Sequence, residues 1–190
     1  MKNRQHSEQF IENQDFSQHP IKEKEYELYT FRGCNFSNSD LTGLRFCETE
    51  FIDCNLSNAN LAQVSFQDVN FVNCKMVGLH FDQCNAFGFS ASFKDCRLND
   101  SVFYQMKLGR TSFLGCSLHG VDFTEADLKN VLLKKCDLLN ATFENTNLEK
   151  ADFSESVNYS FHPGLNKIRG AKFNSPDVLR LLDVYGIKID

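Results

Sequence analysis

The chain has 190 residues and a formal net charge of −5, from 20 basic and 25 acidic side chains. This balance excludes a strongly basic nucleic-acid binder, because no positive excess is available to neutralise phosphates. The polar N-terminus and the lack of a long apolar run predict neither a secretory signal nor a membrane span, so we expect a cytoplasmic protein with reduced cysteines.

A period of five dominates the sequence, because every fifth residue is large and apolar. These centres run from Phe31 to Ala86, slip by two residues around residues 87–89, and resume from Phe93 to Phe153. Neither an α-helix nor a flat strand produces such a period. The residue two before each centre is usually small or β-branched, and the one just before it is often Asn or Asp. Two inward residues in five predict a corner every five residues, and the slip predicts a bulge at one corner.

Six cysteines test whether four such sides close into a coil of twenty residues. Their spacing is twenty residues, except for one step of 22 that contains the slip. We therefore predict a structural ladder of inner thiols without a metal, because zinc needs four ligands that converge on one point. Cys47 follows a centre directly and is predicted to point outward, as the thiol open to reaction. The ladder consists of Cys34, Cys54, Cys74, Cys96, Cys116 and Cys136.

The repeat resembles that of the pentapeptide-repeat family, whose consensus is a small residue, Asn or Asp, Leu or Phe, and two variable residues. Segments 126–130 (ADLKN) and 151–155 (ADFSE) match it closely. The resemblance implies an all-β solenoid, the right-handed quadrilateral β-helix. We expect three parts: a flexible N-terminal lead and cap (1–25), the β-helix (26–155), and an irregular last coil with a C-terminal α-helix (156–190).

The C-terminal helix is predicted at about residues 176–185. Ser175 is the expected N-cap, Pro176 the first helical residue and Gly186 the stop. A widened apolar stripe and an extended tail predict that this helix covers the last coil and joins two copies into a homodimer. The candidate interface residues are Val178, Leu179, Leu181, Leu182, Tyr185, Ile187 and Ile189.

Catalysis has little support in the sequence. The five histidines are scattered, and neither a Ser-His-acid or Cys-His set nor a glycine-rich phosphate loop is present. A packed rod also offers no cleft for a substrate. We therefore predict a protein that is not an enzyme, with no catalytic residue, no metal site and no cofactor.

The outer surface is left as the site of function. The Qnr- and MfpA-type quinolone-resistance proteins are the relatives that the chain resembles, which implies a DNA mimic that binds DNA gyrase or topoisomerase IV. The chain is closer to the loop-free MfpA type, since it carries no long projecting loop. The candidate acidic surface consists of Asp40, Glu48, Glu50, Asp53 and Asp68.

Two other functions remain open at this stage. One is a general interaction scaffold with an unrelated protein partner. The other is direct nucleic-acid binding through the lysine and arginine side chains of residues 94–135. The negative net charge of the chain argues against this function. A continuous negative stripe favours mimicry of DNA, whereas a mixed surface favours the scaffold.

Overall fold

The computed structural model describes residues 9–188, which form a parallel β-solenoid of about six turns. Residues that lie twenty apart in the sequence stack on one another, as Phe31 pairs with Phe51 and Phe51 with Phe71. Across the slip the step is 22 residues, and Phe71 pairs with Phe93. The predicted coil of twenty residues is therefore confirmed.

Ten short strands form two sheets in residues 9–188. The seven-stranded sheet contains β1 (Gln9–Glu12), β3 (Tyr29–Arg32), β5 (Glu50–Ile52), β7 (Val69–Val72), β8 (Ala91–Lys94), β9 (Ser112–Leu114) and β10 (Leu132–Lys134). The three-stranded sheet contains β2 (Glu25–Glu27), β4 (Arg45–Cys47) and β6 (Ser65–Gln67). Isolated parallel bridges, such as Asn35–Asn55 and Asp40–Asn60, hold the other two sides.

The four sides of the rod are named here by their inward centres. Face 1 carries the seven-stranded sheet, with centres Phe31, Phe51, Phe71, Phe93, Phe113, Leu133 and Phe153. Face 2 has Phe36, Leu56, Met76, Leu98, Leu118 and Leu138. Face 3 has Leu41, Leu61, Phe81, Phe103, Phe123 and Phe143. Face 4 carries the three-stranded sheet and has Phe46, Phe66, Leu108, Leu128 and Leu148.

Stacked aromatic rings fill the interior. On face 1 the ring centroids of Phe51 and Phe71 are 5.0 Å apart, and those of Phe71 and Phe93 are 5.2 Å apart. Each of these side chains is at most 1% exposed. Burial of one such ring contributes about 1.5–3 kcal/mol, and the rod repeats this gain along its length.

Most corners are made by a residue with a left-handed backbone, two positions after a centre. Asn58 has a φ of 56° and Asp100 a φ of 58°. Asn, Asp and Gly are the residues that tolerate this conformation, and they are frequent at these positions. The frequent Asn, Asp and Gly two positions after the centres are thus a second signal of the sequence, in addition to the Asn or Asp that often precedes a centre. Corners occupied by Glu48 or Lys150, with φ of 47° and 58°, carry backbone strain.

The slip takes a form that differs from the predicted one. Ala86 is exposed and is not an inward centre; Phe89 turns inward instead and is 5% exposed. Gly88, with a φ of 71°, allows the chain to reverse between them. The two extra residues thus become a short turn in which Phe87 is 83% exposed.

The ends of the rod are less regular. At the N-terminus β1 already pairs with β3, so residues 9–12 of the predicted lead are part of the stacked structure; residues 1–8 lie outside the described part. Two 3₁₀ helices lie near the slip and in the last coil, at Phe81–Gln83 and Pro163–Leu165. In residues 9–188 no helix has the length and apolar character needed to cross a bilayer.

The C-terminal helix is present at Asp177–Tyr185, but it is a 3₁₀ helix and not the predicted α-helix. Pro176 takes the N-cap position expected for Ser175, and no side chain caps the first turn. A 3₁₀ helix repeats every three residues, so Val178 and Leu181 fall on one side and pack against the core of the rod.

Candidate protein-binding surface

Between residues 38 and 145, face 3 is the one side of the rod without a lysine or arginine. Over six coils this face comprises residues 38–43, 58–63, 78–83, 100–105, 120–125 and 140–145. His80 is its single basic side chain, and its Nδ1 lies 3.3 Å from Oδ1 of Asp82. The six carboxylates of face 3 are Asp40, Asp82, Asp100, Asp122, Glu125 and Glu144.

Neutral hydrogen-bond donors hold several of these carboxylates in place. Oδ1 of Asp40 accepts the backbone N–H of Thr42 at 3.0 Å and an amide N–H of Asn60, one coil further, at 3.1 Å. The hydrogen bonds from Thr42 are the main cause of the lowered pKa of Asp40. In a later coil, Gln105 donates to Oε2 of Glu125 at 2.8 Å. Face 3 is therefore negative and ordered rather than internally neutralised.

The spacing of this charge can be compared with DNA. Coils stack about 4.8 Å apart, so six coils extend over about 24 Å. One strand of duplex DNA carries a phosphate every ~3.4 Å and thus about seven charges over that distance. Face 3 presents six carboxylates. Its charge density is close to that of one DNA strand and about half that of a duplex.

The five acidic residues predicted from the sequence do not lie on one surface. Asp40 is on face 3, and Glu50 is on face 1, on the opposite side of the rod. Glu48 and Asp68 occupy the same corner, between faces 4 and 1, in successive coils, and Asp53 occupies the next corner. Asp68 is also neutralised, since its Oδ1 lies 2.8 Å from Nη2 of Arg110.

Sequence reasoning missed five of the six carboxylates of face 3, all except Asp40. The signal that finds them is the coil of twenty residues itself. When residues 38–145 are written in rows of twenty, with the row of the slip two residues longer, one block of six columns contains no Lys or Arg. The candidate acidic surface in the sequence consists of acidic residues that are close along the chain, whereas the fold brings together acidic residues that are about twenty residues apart.

The basic residues of the segment 94–135 are spread over the other faces, and most have acidic partners. Nζ of Lys129 lies 3.4 Å from Oε2 of Glu149, and Nζ of Lys134 lies 3.2 Å from Oδ2 of Asp152. Arg110 pairs with Asp68, as described above. This mixed arrangement gives no continuous positive stripe for a nucleic acid.

The predicted ladder of six thiols stacks behind face 2. Each sulfur lies at hydrogen-bond distance from the carbonyl oxygen of the face 1 centre in the previous coil. Sγ of Cys74 is 3.3 Å from the oxygen of Phe51, and Sγ of Cys116 is 3.5 Å from the oxygen of Phe93. Hydrogen bonding between neighbouring thiols, together with burial, raises the pKa of Cys74 and Cys116. The thiols are free and small, and they fill the core.

Ser101 and Thr146 occupy equivalent inward positions and show what the ladder requires. The Ser101 hydroxyl donates to the carbonyl oxygen of Met76 at 3.0 Å, and that of Thr146 to the oxygen of Phe123 at 2.8 Å. The inward position therefore needs a small donor, for which a thiol is one choice. Cys47 is half-buried; burial, together with Glu48, raises its pKa, which does not favour the reactive thiolate.

A catalytic or metal-binding site needs several polar side chains that converge on one point. His80 and His119 lie on different faces, and each has one carboxylate beside it; Nε2 of His119 is 2.8 Å from Oδ2 of Asp137. Within residues 9–188, no group of three His, Cys, Asp or Glu side chains is placed to hold a metal ion.

The predicted dimer residues fall into two groups. Leu181 is 6% exposed and Val178 half-buried, because both pack on the chain's own last coil. Leu182 is also half-buried. Leu179, Tyr185 and Ile187 are 43%, 56% and 53% exposed, and Ile189 lies outside the described residues.

Comparisons with known proteins agree with this architecture. Two family models, described as a pentapeptide repeat region and as pentapeptide repeats, match residues 88–158 and 31–68, which together are more than half of the chain. The chain belongs to the pentapeptide-repeat family. No curated protein matches its sequence.

Solved structures share this fold at low sequence identity. A trypsin-treated variant of QnrB1, a plasmid-mediated fluoroquinolone resistance protein, has a TM-score of 0.63 and 17% identity; the match covers 97% of this chain and 100% of that one. HetL, a pentapeptide-repeat protein involved in heterocyst differentiation regulation in the cyanobacterium Nostoc, has a TM-score of 0.44 and 14% identity, over 86% and 82% of the chains. The family and the fold support a role in protein interaction.

Proposed function

We propose that the protein binds a basic, DNA-binding protein through face 3, as a mimic of one DNA strand, and that DNA gyrase or topoisomerase IV is the partner. The observation that carries this proposal is the lack of any lysine or arginine over six coils of one face. A negative face without Lys or Arg attracts a positively charged groove and repels acidic competitors. Modulation of quinolone sensitivity would follow from occupation of the DNA-binding groove of the topoisomerase.

The test combines a gyrase supercoiling assay with two charge variants. The first variant neutralises face 3 through Asp122→Asn, Glu125→Gln and Glu144→Gln. The control neutralises an equal number of acids elsewhere, through Glu48→Gln, Glu50→Gln and Asp53→Asn. We expect the wild-type protein and the control at micromolar concentration to change gyrase activity, and the face 3 variant to lose most of this effect.

Two results would contradict the proposal. If the wild-type protein neither inhibits nor protects gyrase, the partner is wrong, and the interaction scaffold becomes the better description. If the control variant loses the effect and the face 3 variant keeps it, the binding surface is the one first predicted around Glu48, Glu50 and Asp53.

We further propose that two copies associate through the C-terminal end of the rod. The support is a group of exposed apolar side chains there, including Leu179, Tyr185 and Ile187. Such groups are commonly covered by a partner. Light scattering tests this with Leu179→Asp against Leu139→Asp, since both leucines are 43% exposed but Leu139 lies on face 2. A dimeric mass that only Leu179→Asp abolishes is expected; an equal mass for both variants removes the helix from the interface.

A further inference from the structure

The two-residue slip builds an aromatic projection next to the acidic face. Phe87 is 83% exposed, which is more than any other large apolar side chain in residues 9–188. The turn that carries it is held by defined contacts, since the backbone N–H of Phe87 donates to Oδ1 of Asn85 at 3.0 Å. On its other side, Phe89 is buried in the core. The exposed ring is therefore presented by an anchored turn and not by a long loop.

A groove of about 520 Å³ opens beside this ring. Its walls come from the turn (Cys84, Ala86 and Phe87), from the edge of face 3 (Asp82, Tyr104 and Gln105) and from the next side chains (Met106 and Lys107). Tyr104 is 39% exposed, so two aromatic rings line the same depression. The groove therefore lies next to face 3, and apolar side chains and the carboxylate of Asp82 line it together.

This combination is typical of the centre of a protein interface. Exposed aromatic side chains beside a pocket are the usual positions of large binding energy, while surrounding charges set orientation and association rate. Phe87 is exposed, whereas Phe89, two residues further along the same turn, is buried in the core. Folding therefore gives no reason for an aromatic residue at position 87.

We propose that Phe87 and the groove beside it form the apolar anchor for the same positively charged protein that face 3 binds. The occupant is an apolar side chain that lies among lysines and arginines on the partner. Charge complementarity favours this occupant, because the groove opens onto face 3 and carries Asp82 on its wall, while Lys107, the one cation among its lining residues, belongs to face 4. This inference rests on the proposed function and assigns a specific contact to it.

The test measures the affinity of the full chain for purified DNA gyrase at two salt concentrations. Phe87→Ser removes the ring, Phe87→Tyr keeps an aromatic ring, and Leu114→Ser is the matched control, since Leu114 is 41% exposed on face 1. We expect Phe87→Ser to weaken binding about tenfold or more with an unchanged salt dependence, and Phe87→Tyr and Leu114→Ser to bind as the wild type does. The face 3 charge variant is expected to bind more weakly and to lose salt dependence.

A second variant removes the turn without exposing the core. Replacement of residues 85–89 by Asn-Leu-Ser restores a coil of twenty residues with Leu as its centre, and it should bind as weakly as Phe87→Ser. Wild-type affinity in Phe87→Ser would overturn the anchor and leave the role of face 3 intact. No binding of gyrase by the wild type would overturn the proposed function and the anchor together. Unfolding curves of each variant confirm that a loss of affinity is not a loss of fold.

Discussion

Faces 1 and 4 are built from the same five-residue period, yet only face 1 carries an unbroken sheet. On face 1, β7 pairs directly with β8 across the slip, with Phe71 opposite Phe93. On face 4, the described strands end at β6, and stacking is next seen as the bridge between Lys107 and Asp127. The two extra residues fall entirely within one side of one coil.

The difference shows how a solenoid accommodates an insertion. Each coil contacts only its neighbours, so an insertion in one coil leaves the register of distant coils intact, and face 1 still pairs across it. Face 1 therefore supplies continuous stacking, while face 4 is free to present a turn to solvent. Stability and the proposed binding function are placed on different sides of the same rod.

The largest expected effect on the free energy of unfolding comes from removing an aromatic ring from the core behind face 1 or face 4. Phe71 stacks on both neighbours of face 1, at 5.0 and 5.2 Å. Phe89 contacts Phe66 and Phe81 edge-on, in each case at 6.3 Å. We expect Phe71→Ala to lower the free energy of unfolding by about 3–5 kcal/mol, and Phe89→Ala by clearly less. Urea titrations measure both values, and equal losses would show that face 4 is packed as tightly as face 1.

A smaller effect is expected at the corners that follow the two faces. Lys135, after face 1, and Lys150, after face 4, have left-handed backbones with φ of 57° and 58°. Replacement of either lysine by Asn should raise the free energy of unfolding by about 0.5–1 kcal/mol, because Asn adopts this conformation at lower cost. Lys107→Asn, at a position that is not left-handed, is the control. Gains at only one corner would mean that the strain depends on the face and not on the turn.

The smallest expected effect concerns acid. Oδ2 of Asp152 lies 3.2 Å from Nζ of Lys134 on face 1, and the Asp152 side chain is 9% exposed. Burial alone raises the pKa of Asp152, but the hydrogen bonds from Ser154 and the ion pair with Lys134 outweigh it, so the pKa lies below its ordinary value.

A lowered folded-state pKa stabilises the protein above the unfolded pKa of about 3.9, and this contribution disappears as the pH falls through the folded value. Asp152→Asn should therefore be less stable than the wild type at pH 7, by about 1 kcal/mol or less, and equal to it at pH 2. Urea midpoints at pH 7, 4 and 2 test this. A constant difference at all three values would show that the carboxylate charge is not the cause. Asp127→Asn on face 4 provides the comparison.

Whether a residue of the candidate surface could be predicted from the sequence depends on how regularly its residue type recurs along the chain. The thiol ladder was predicted in full, because one residue type recurs at one spacing. Of the acids on face 3, only Asp40 was predicted, because different residue types share that face and their positions alternate. Phe87 was read as part of a bulge, since nothing in the local pattern distinguishes which of two nearby rings turns inward.

The sequence by itself determined the coil of twenty residues, the inward centres and the cysteine ladder, because burial at every fifth position leaves one way to close the chain. Only the tertiary structure decided that Phe89, and not Ala86, fills the core at the slip. It also decided that the C-terminal helix is 3₁₀, because the apolar spacing and the capping residues of the sequence do not distinguish a 3₁₀ helix from an α-helix. The acidic face emerged only when residues far apart in sequence were brought onto one side of the rod.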